Sequence, residues 1–362
     1  MQHDTHSKKR KILITSIGTG VGNALLTAVR KSEHTYVVIG LNTEPFHSGV
    51  YRADVSYMVP LASADPKGWM ERLLEVIRIE GPLLVIPARD ADLSVMSRHA
   101  SDIRAVGATP VCATPALVDE CNDKLLSADL FERLGLRYAE TVNGSDDAAI
   151  AALVKRHGFP LILKPRYGTG TIGVKLIQSD MDLKERLREH PFDYVLQEFL
   201  PVEGPTHSLT SMTELVQDQE YSLQVVFGAR GNALGWFASI NTLENGLPVA
   251  VRTTTIPEVR RCVAAIIDSN EGFVGPFNFQ GRMSGGEIVF FEVNCRFTGI
   301  TGTRAGMGFA EVDATWSSFI EGNDENLPEL PAGQYAFRNL EDTFFSHAQY
   351  ERFATGKRLS KD

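Results

Sequence analysis

The chain has 362 residues, of which 43% are hydrophobic and 22% charged, a balance typical of globular proteins that excludes disordered and fibrous classes. Its 36 Lys and Arg stand against 45 Asp and Glu, and the formal net charge of -9 argues against nucleic-acid binding through a basic surface. A chain of this length predicts two or three lobes rather than one core.

The cysteines and the N-terminus favour a cytoplasmic enzyme. The four cysteines form no CxxC pair and no metal-ligand spacing, which is typical of reduced thiols. Residues 1–10 are polar and lack the apolar run of a signal peptide, and no stretch is apolar enough to span a membrane. We therefore expect a flexible N-terminus over residues 1–10, a cytoplasmic location and no membrane partner.

The chain opens with a strand, a glycine turn and a helix. Lys11–Ser16 is a short buried strand, and Gly18–Asn23 follows it directly before a helical pattern. The next strand, Tyr36–Asn42, ends in an amide, whereas dinucleotide-binding folds place an acidic residue there to hold the ribose hydroxyls. Glu44 is close, but NAD binding is only weakly supported.

Further strands at Leu83–Pro87 and Thr109–Ala113 extend this pattern. Residues 10 to 113 therefore predict a doubly wound α/β lobe of alternating strands and helices. Arg89–Asp92 follows one of these strands at its carboxyl end, where open α/β sheets bind ligands. These residues are candidate substrate contacts, with a solvated charged loop as the alternative.

A lysine and a glycine-rich loop follow in the middle of the chain. Thr114–Pro115 begins a helical region that carries Lys124, a residue unremarkable by itself. Phe159–Pro165 is an apolar strand that ends with Lys164, and Tyr167–Val174 then has three glycines. Such a loop brings backbone N–H groups onto phosphate oxygens while the lysine adds a charge. It does not match GxxxxGK[ST], which excludes the common P-loop; a plain hairpin turn is the alternative.

The segment Gln280–Arg296 predicts a polar hairpin. Ser284–Gly286 supplies the turn, and side-chain alternation places three sets of residues on common faces. These sets are Asn278, Gln280 and Arg282; Glu292, Asn294 and Arg296; and, on the opposite face, Val289, Phe291 and Val293. A carboxylate beside amide oxygens suits Mg²⁺, and an arginine offers a donor fork to phosphate. The alternative is a solvated face of an amphipathic hairpin.

The order of these features resembles the ATP-grasp superfamily, and within it the carbamoyl-phosphate-synthase-like carboxylate–amine ligases, over residues 11–322. The resemblance implies a mixed α/β and α+β fold with a Rossmann-like pre-ATP-grasp lobe, a small lid subdomain and a C-terminal antiparallel-sheet lobe. We place a pre-ATP-grasp domain at 11–113 and the lid with its linker helix at 114–198. The C-terminal subdomain would cover 199–325, with an extension over 326–362.

The resemblance also implies roles for individual residues. The ATP phosphates would be contacted by Lys124, Lys164 and the loop residues Tyr167, Gly168, Thr169, Gly170, Thr171 and Gly173. Contacts to the adenine and ribose fall to Gln197, Glu198, Phe199, Leu200 and Glu220. The magnesium ligands would be Gln280, Glu292 and Asn294, binding two Mg²⁺ ions. Arg296 would stabilise the transferring phosphoryl group together with Lys164.

Two departures from the family pattern stand out. Cys295 replaces the proline of the common ExNPR motif but leaves the neighbouring ligands in phase. The polar stretch Pro201–Gln219 is longer than expected, which makes Glu214 a rival to Glu220 as the ribose-binding acid. This insert either covers an acceptor site or is an exposed loop.

The implied reaction joins a small-molecule carboxylate, for example an amino acid, to an amine through an acyl phosphate. Arg252 and Arg304 are candidates to hold the substrate carboxylate, with surface ion pairs as the alternative; Arg304 is included among the catalytic residues. Two other functions stay open: a carboxylate or carbamate kinase of the same fold, and a non-catalytic or NAD-dependent nucleotide-binding protein. Relatives are frequently homodimers.

The tail after residue 326 is loop-rich and aromatic. Its aromatic side chains pack on the main body or form an oligomer surface, and residues 357–362 are expected to fray.

Overall fold

The computed structural model describes residues 10–168, 172–189, 194–203, 218–339 and 341–360. Three sheets organise this part of the chain. Thr169, Gly170, Thr171 and Glu214 lie outside the described residues, as do residues 1–9 and most of the polar insert 201–219.

The first sheet confirms the predicted doubly wound lobe, and we call it the parallel sheet. Its strands are β1 (Arg10–Ile14), β2 (Tyr36–Asn42), β3 (Val55–Met58), β4 (Leu84–Ile86) and β5 (Thr109–Pro110). Its helices are α1 (Gly20–Lys31), α2 (Ser48–Arg52), α3 (Pro66–Glu80), α4 (Asp90–Arg98) and α5 (Ala100–Ala105). The strands are apolar runs because helices cover both faces. β1 and β4 are parallel neighbours, so the glycine turn after β1 lies beside the loop after β4.

Two short helices lead into a small second sheet, which we call the lid sheet. The helices are α6 (Pro115–Asn122) and α7 (Leu126–Arg133). The lid sheet has β6 (Thr141–Asn143), β7 (Leu161–Pro165), β8 (Lys175–Ile177) and β9 (Tyr194–Glu198), with α8 (Asp147–His157) and α9 (Asp180–Glu189). β7 and β8 form the hairpin whose connection is the predicted glycine-rich loop. Its own small core makes the lid a separate packing unit.

The third sheet is a large antiparallel sheet with one polar and one apolar face. Its strands are β10 (Glu220–Phe227), β11 (Ala233–Glu244), β12 (Leu247–Thr253), β13 (Gly275–Ser284) and β14 (Glu287–Asn294), and α10 (Pro257–Asp268) packs against it. Alternate residues such as Leu223, Phe277 and Phe279 face the helix and form the largest core, which also buries Cys295. The intervening positions carry polar side chains, so the opposite face can build a binding site.

A β-bulge changes the predicted facing of β14. Gln280 pairs with Glu292, whereas Gly281 pairs with Phe290, so Phe291 has no partner on β13. The extra residue shifts the alternation by one position. Val293 and Phe290 therefore face the large core, while Val289 and Phe291 pack toward the lid side. The prediction that Val289, Phe291 and Val293 share one face is wrong for this reason.

The remaining elements join the lobes. They are α11 (Thr301–Gly306), α12 (Glu311–Trp316), a π-helical turn (Ser317–Glu321), β15 (Tyr335–Phe337), α13 (His347–Gly356) and β16 (Arg358–Ser360). β15 extends the large antiparallel sheet beside β12, and β16 extends the parallel sheet beside β3. The expected fraying of residues 357–362 is wrong for β16, because backbone pairing fixes it.

The aromatic residues of the tail divide between packing and exposure. Phe353 is fully buried in the core under the parallel sheet, and the ring of Phe345 stacks on that of Tyr51 at 3.8 Å between centroids. Tyr335, Phe337 and Phe344 are exposed. Within the described ranges, none of the helices combines the length and hydrophobicity needed to cross a bilayer. The domain boundaries given above stay predictions.

Candidate active site

A cavity of about 440 Å³ lies where the three sheets meet, and we call it the nucleotide cavity. Each sheet contributes a different chemistry to its wall: the glycine turn, the lid strands and the polar face of the large antiparallel sheet. The predicted residues that line it are Lys124, Lys164, Gly168, Gln197, Glu198, Phe199, Leu200, Glu220, Gln280, Glu292, Asn294 and Arg296. Residues separated by more than 170 positions in the sequence are thus brought together, as the resemblance requires.

Lys164 is one of the buried basic residues of this cavity. Its Nζ donates to Gln197 Oε1 at 2.8 Å and to the carbonyl oxygen of Phe291 at 3.0 Å. Phe291 is the bulge residue and has no pairing partner on β13. Its carbonyl oxygen can therefore accept a hydrogen bond from the lid. Burial, and then the charge of Lys124, lower the pKa of Lys164 to about 7. The lysine is therefore poised to gain a proton when an anion arrives.

This lowered pKa predicts proton uptake on nucleotide binding. At pH 8 a group with a pKa of about 7 is mostly neutral, and phosphate oxygens favour its ammonium form. Binding of Mg·ATP to the wild type should take up about one proton at pH 8 and less at pH 6. Calorimetric titrations in buffers of different ionisation enthalpy measure this uptake. Lys164→Met should abolish it, whereas Lys175→Met, an exposed lysine of β8, should retain it; no uptake by the wild type contradicts the assignment.

Lys124 holds the base of the glycine-rich loop. Its Nζ donates to the carbonyl oxygen of Gly168 at 2.9 Å. The preceding residue, Asp123, is buried and accepts from Arg166 and from the Tyr167 hydroxyl. Gly168 has a φ of 107°, a conformation that favours glycine. Lys124 therefore contacts the described start of the glycine-rich loop directly.

Sequence reasoning missed Asp123 as the anchor of this loop. The signal was present in the chain, because an acid directly precedes Lys124 and an arginine follows Lys164 two residues later. Neither spacing is specific before the fold brings the two segments together.

The predicted hinge joins the lid sheet to the large antiparallel sheet. Gln197 connects Lys164 to Thr141, donating from Nε2 to the threonine Oγ1 at 2.7 Å. Glu198 is buried and its carboxylate lies 3.1 Å from His157 Nδ1. The carbonyl oxygen of Leu200 accepts from Arg282 Nη1 at 2.9 Å. The Gln197 and Glu198 side chains and the Leu200 carbonyl oxygen are thus all bonded to protein partners.

Glu220 lies on the polar face beside the predicted metal ligands. Its Oε1 accepts from Gln280 Nε2 at 3.2 Å and from Asn241 Nδ2 at 3.5 Å. Burial, and then the charge of Glu292, raise the pKa of Glu220 to about 7. A buried acceptor flanked by amides suits a hydroxyl-bearing ligand such as a ribose.

Two of the predicted metal ligands, Gln280 and Glu292, direct an oxygen at the third, Asn294. Gln280 Oε1 and Glu292 Oε1 both accept from Asn294 Nδ2, at 3.3 and 3.1 Å. Two oxygens that converge on one donor form a donor set that fits a hard cation. In the described ranges no group of three or more His, Cys, Asp or Glu side chains is placed to hold a metal. A Mg²⁺ ion here would therefore depend on water and substrate phosphates for most of its ligands.

Arg296 is bound to the parallel-sheet lobe, a contact that the sequence did not reveal. Its Nε and Nη2 donate to the two carboxylate oxygens of Asp90, at the start of α4. Nη2 also donates to Asn294 Oδ1 at 3.0 Å, and Nη1 donates to the Phe297 carbonyl oxygen at 3.0 Å. Most N–H groups of this guanidinium are therefore committed.

The structure revises the assignment of Arg304 as a catalytic, carboxylate-binding residue. Its side chain is 0% exposed and forms an ion pair with Glu311 at 2.7 Å, which is equally buried. Its other nitrogens donate to Thr298 and Thr301. Arg304 is thus enclosed behind the cavity wall, because the glycine-rich segment around it folds into α11. Arg252 also does not line the nucleotide cavity.

The glycine turn after β1 argues against a dinucleotide site. Asn42 Oδ1 accepts from the Gly18 N–H at 3.0 Å, and its Nδ2 donates to the Glu44 carbonyl oxygen at 2.7 Å. A Cβ at Gly18 would lie 2.6 Å from His47 Cβ. The Asn42 side chain, at the ribose-binding position, thus holds the turn, and Gly18 is closely packed.

Two family models match the chain. Residues 12–111 match the PylC-like N-terminal domain, and residues 123–191 match the ATP-binding domain of the carbamoyl-phosphate synthase L chain. The carbamoyl phosphate synthase large chain of Pseudomonas syringae pv. tomato is 26% identical over 277 residues, covering 74% of this chain and 24% of the relative. That of Myxococcus xanthus is 22% identical over 278 residues. The chain thus spans about a quarter of the length of these relatives.

Solved structures agree on the fold. The ADP complex of an N5-carboxyaminoimidazole ribonucleotide synthetase matches with a TM-score of 0.66 at 16% identity, over 90% of this chain and 80% of that one. The biotin carboxylase domain of the Hydrogenobacter thermophilus 2-oxoglutarate carboxylase matches with a TM-score of 0.61 at 16% identity, over 90% and 73%. The predicted resemblance is confirmed: the chain has the ATP-grasp fold and is similar to the carbamoyl-phosphate-synthase-like carboxylate–amine ligases of that superfamily.

Proposed function

We propose that the chain is an ATP-dependent ligase that activates a carboxylate as an acyl phosphate and joins it to an amine. This proposal is supported by one observation: Lys124, Lys164 and the Glu292 set line one cavity together with Gly168, at the start of the glycine-rich loop. Two cations and a metal-binding carboxylate supply the charge neutralisation that phosphoryl transfer needs, without a protein nucleophile.

The proposed reaction has two steps. A carboxylate oxygen of the substrate attacks the γ-phosphorus of ATP, and ADP leaves with the bridging oxygen. The nitrogen of an amine then attacks the acyl carbon, and inorganic phosphate leaves. Gln280, Glu292 and Asn294 would hold Mg²⁺, which neutralises charge on the phosphates when bound. The loop that begins at Tyr167 would exclude water from the acyl phosphate.

The finer predictions stay predictions. They are the number of magnesium ions, the adenine and ribose contacts at Gln197–Leu200 and Glu220, the homodimer and the cytoplasmic location. Carboxylate and amine identities are likewise proposals, since the relatives are much longer than this chain.

Hydroxylamine trapping tests the proposed function. The protein is incubated with Mg·ATP, hydroxylamine and each member of a panel of bicarbonate, acetate and the proteinogenic amino acids. We expect at least one carboxylate to give a hydroxamate and stoichiometric ADP, because hydroxylamine intercepts acyl phosphates. ADP formation that no carboxylate stimulates would contradict the proposal. Accumulation of the acyl phosphate as the end product, when hydroxylamine is left out and no other amine is needed, would instead indicate the kinase alternative.

A further inference from the structure

A second cavity, of about 830 Å³, reaches the same reaction centre from the side of α4 and α6. Its outer wall includes Ser94, Arg98, Asp119, Asn122 and Tyr167. It shares Arg89, Lys124, Gly168, Glu292 and Asn294 with the nucleotide cavity. The phosphate end of the site is thus accessible to a molecule other than the nucleotide.

Most charges in the second cavity neutralise one another. Arg98 forms an ion pair with Asp119 at 2.7 Å. Arg166 forms an ion pair with Asp123, and Arg296 forms one with Asp90. The charges left over are those of Lys124 and Glu292, which the proposed function assigns to phosphate and Mg²⁺, and that of Arg89.

Arg89 forms no hydrogen bond or close ion pair with a carboxylate among the described residues, although two acids follow it closely and its charge acts on Asp92 through space. Asp90 turns toward Arg296, as above. Asp92 is 1% exposed and accepts from the Thr15 and Ser16 hydroxyls, both at 2.6 Å, so its carboxylate faces the interior of the parallel-sheet lobe. The Arg89 side chain is half-buried and lines both cavities.

The neighbouring contacts fix Arg89 close to the reaction centre. The bond between Asp90 and Arg296 holds the backbone next to Arg89 against the end of β14. The Asp90 contact uses the Nε–Nη2 edge of the Arg296 guanidinium, and bonds to Asn294 and Phe297 use the other edge, so Arg296 presents no free bidentate fork to a substrate. Of these two arginines, Arg89 is the one whose fork is open.

We propose that Arg89 binds the carboxylate of the acyl substrate, which enters through the second cavity and meets the γ-phosphate beside Glu292. A guanidinium binds a carboxylate bidentately and fixes its orientation, and Arg89 has the open fork that this binding needs. The proposal rests on the proposed function, since it assigns a residue to the substrate of that reaction. It makes Arg89, rather than Arg252 or Arg304, the residue that selects for an anionic substrate.

Matched variants test this proposal. We would titrate bicarbonate, acetate and the proteinogenic amino acids into the wild type, Arg89→Gln and Arg98→Gln, each saturated with magnesium and a non-hydrolysable ATP analogue. Arg98 lines the same cavity but its charge is already paired. Carboxylates that bind the wild type should lose about 10- to 100-fold in affinity in Arg89→Gln, the effect of losing charge-assisted hydrogen bonds. Arg98→Gln should change it less than about threefold.

The outcomes separate this proposal from the proposed function. Equal carboxylate affinity in Arg89→Gln and the wild type overturns the role of Arg89, and so does a wild type that binds the nucleotide analogue but no carboxylate. Failure of the wild type to bind magnesium and the analogue contradicts the proposed function itself. Arg89→Lys should recover part of the affinity, because the charge returns without the fork.

Discussion

Glu292→Gln is expected to reduce Mg²⁺-dependent ADP formation at least about 100-fold. The carboxamide keeps the size of the side chain and still offers an oxygen to Asn294 Nδ2, the contact made at 3.1 Å. What it removes is the negative charge that the proposed magnesium site requires. Steady-state ADP release over a range of magnesium concentrations measures the effect.

Glu287→Gln provides the matched control, since Glu287 lies on the same strand but is exposed at its start. Turnover of this control should equal that of the wild type. If Glu292→Gln keeps turnover within a few-fold of the wild type at all magnesium concentrations, the polar face of the hairpin is not the metal site. The alternative, a solvated face of an amphipathic hairpin, would then be supported.

Arg304→Met is expected to lower the free energy of unfolding by about 3–5 kcal/mol, because it leaves a buried carboxylate without its partner. Arg304 and Glu311 are both 0% exposed. Glu311 Oε2 already has no hydrogen-bond partner within the described residues, so the remaining charge would be poorly compensated. Urea unfolding followed by fluorescence measures the loss.

The second variant in this series removes both charges. Arg304→Met combined with Glu311→Leu should recover part of the stability, since no isolated ion remains. Arg252→Met, outside this buried pair, should cost less than about 0.5 kcal/mol. Equal stability of Arg304→Met and the wild type would show that the pair does not hold this region. Loss of turnover in the folded fraction of Arg304→Met would support the catalytic role predicted from the sequence.

The sequence predicted the chemistry of the site better than its connections. Alternation in Gln280–Arg296 was enough to place Gln280, Glu292 and Asn294 together, because an antiparallel hairpin has a fixed period. The bulge at Phe291 was not predictable, since nothing in EIVFFEVN marks which residue loses its partner. Yet the bulge frees the carbonyl oxygen that binds Lys164.

Contacts between residues far apart in the chain were also not predictable from the sequence. The pair formed by Asp90 and Arg296 joins residues 206 positions apart, and each looked like a separate ligand contact in the sequence. Arg304 illustrates the same limit. The sequence made Arg304 a candidate to hold the substrate carboxylate, but its burial against Glu311 depends on tertiary packing, which no local pattern indicates.

Isotope transfer from the carboxylate tests the central claim most directly. A carboxylate that gives a hydroxamate is labelled with oxygen-18 and supplied with Mg·ATP and a competent amine, and the released phosphate is examined by phosphorus NMR. Attack of the carboxylate on the γ-phosphorus predicts that each phosphate carries one labelled oxygen. Release of unlabelled phosphate alongside product would contradict the acyl-phosphate route, and with it the assignment of this cavity as a carboxylate-activating site.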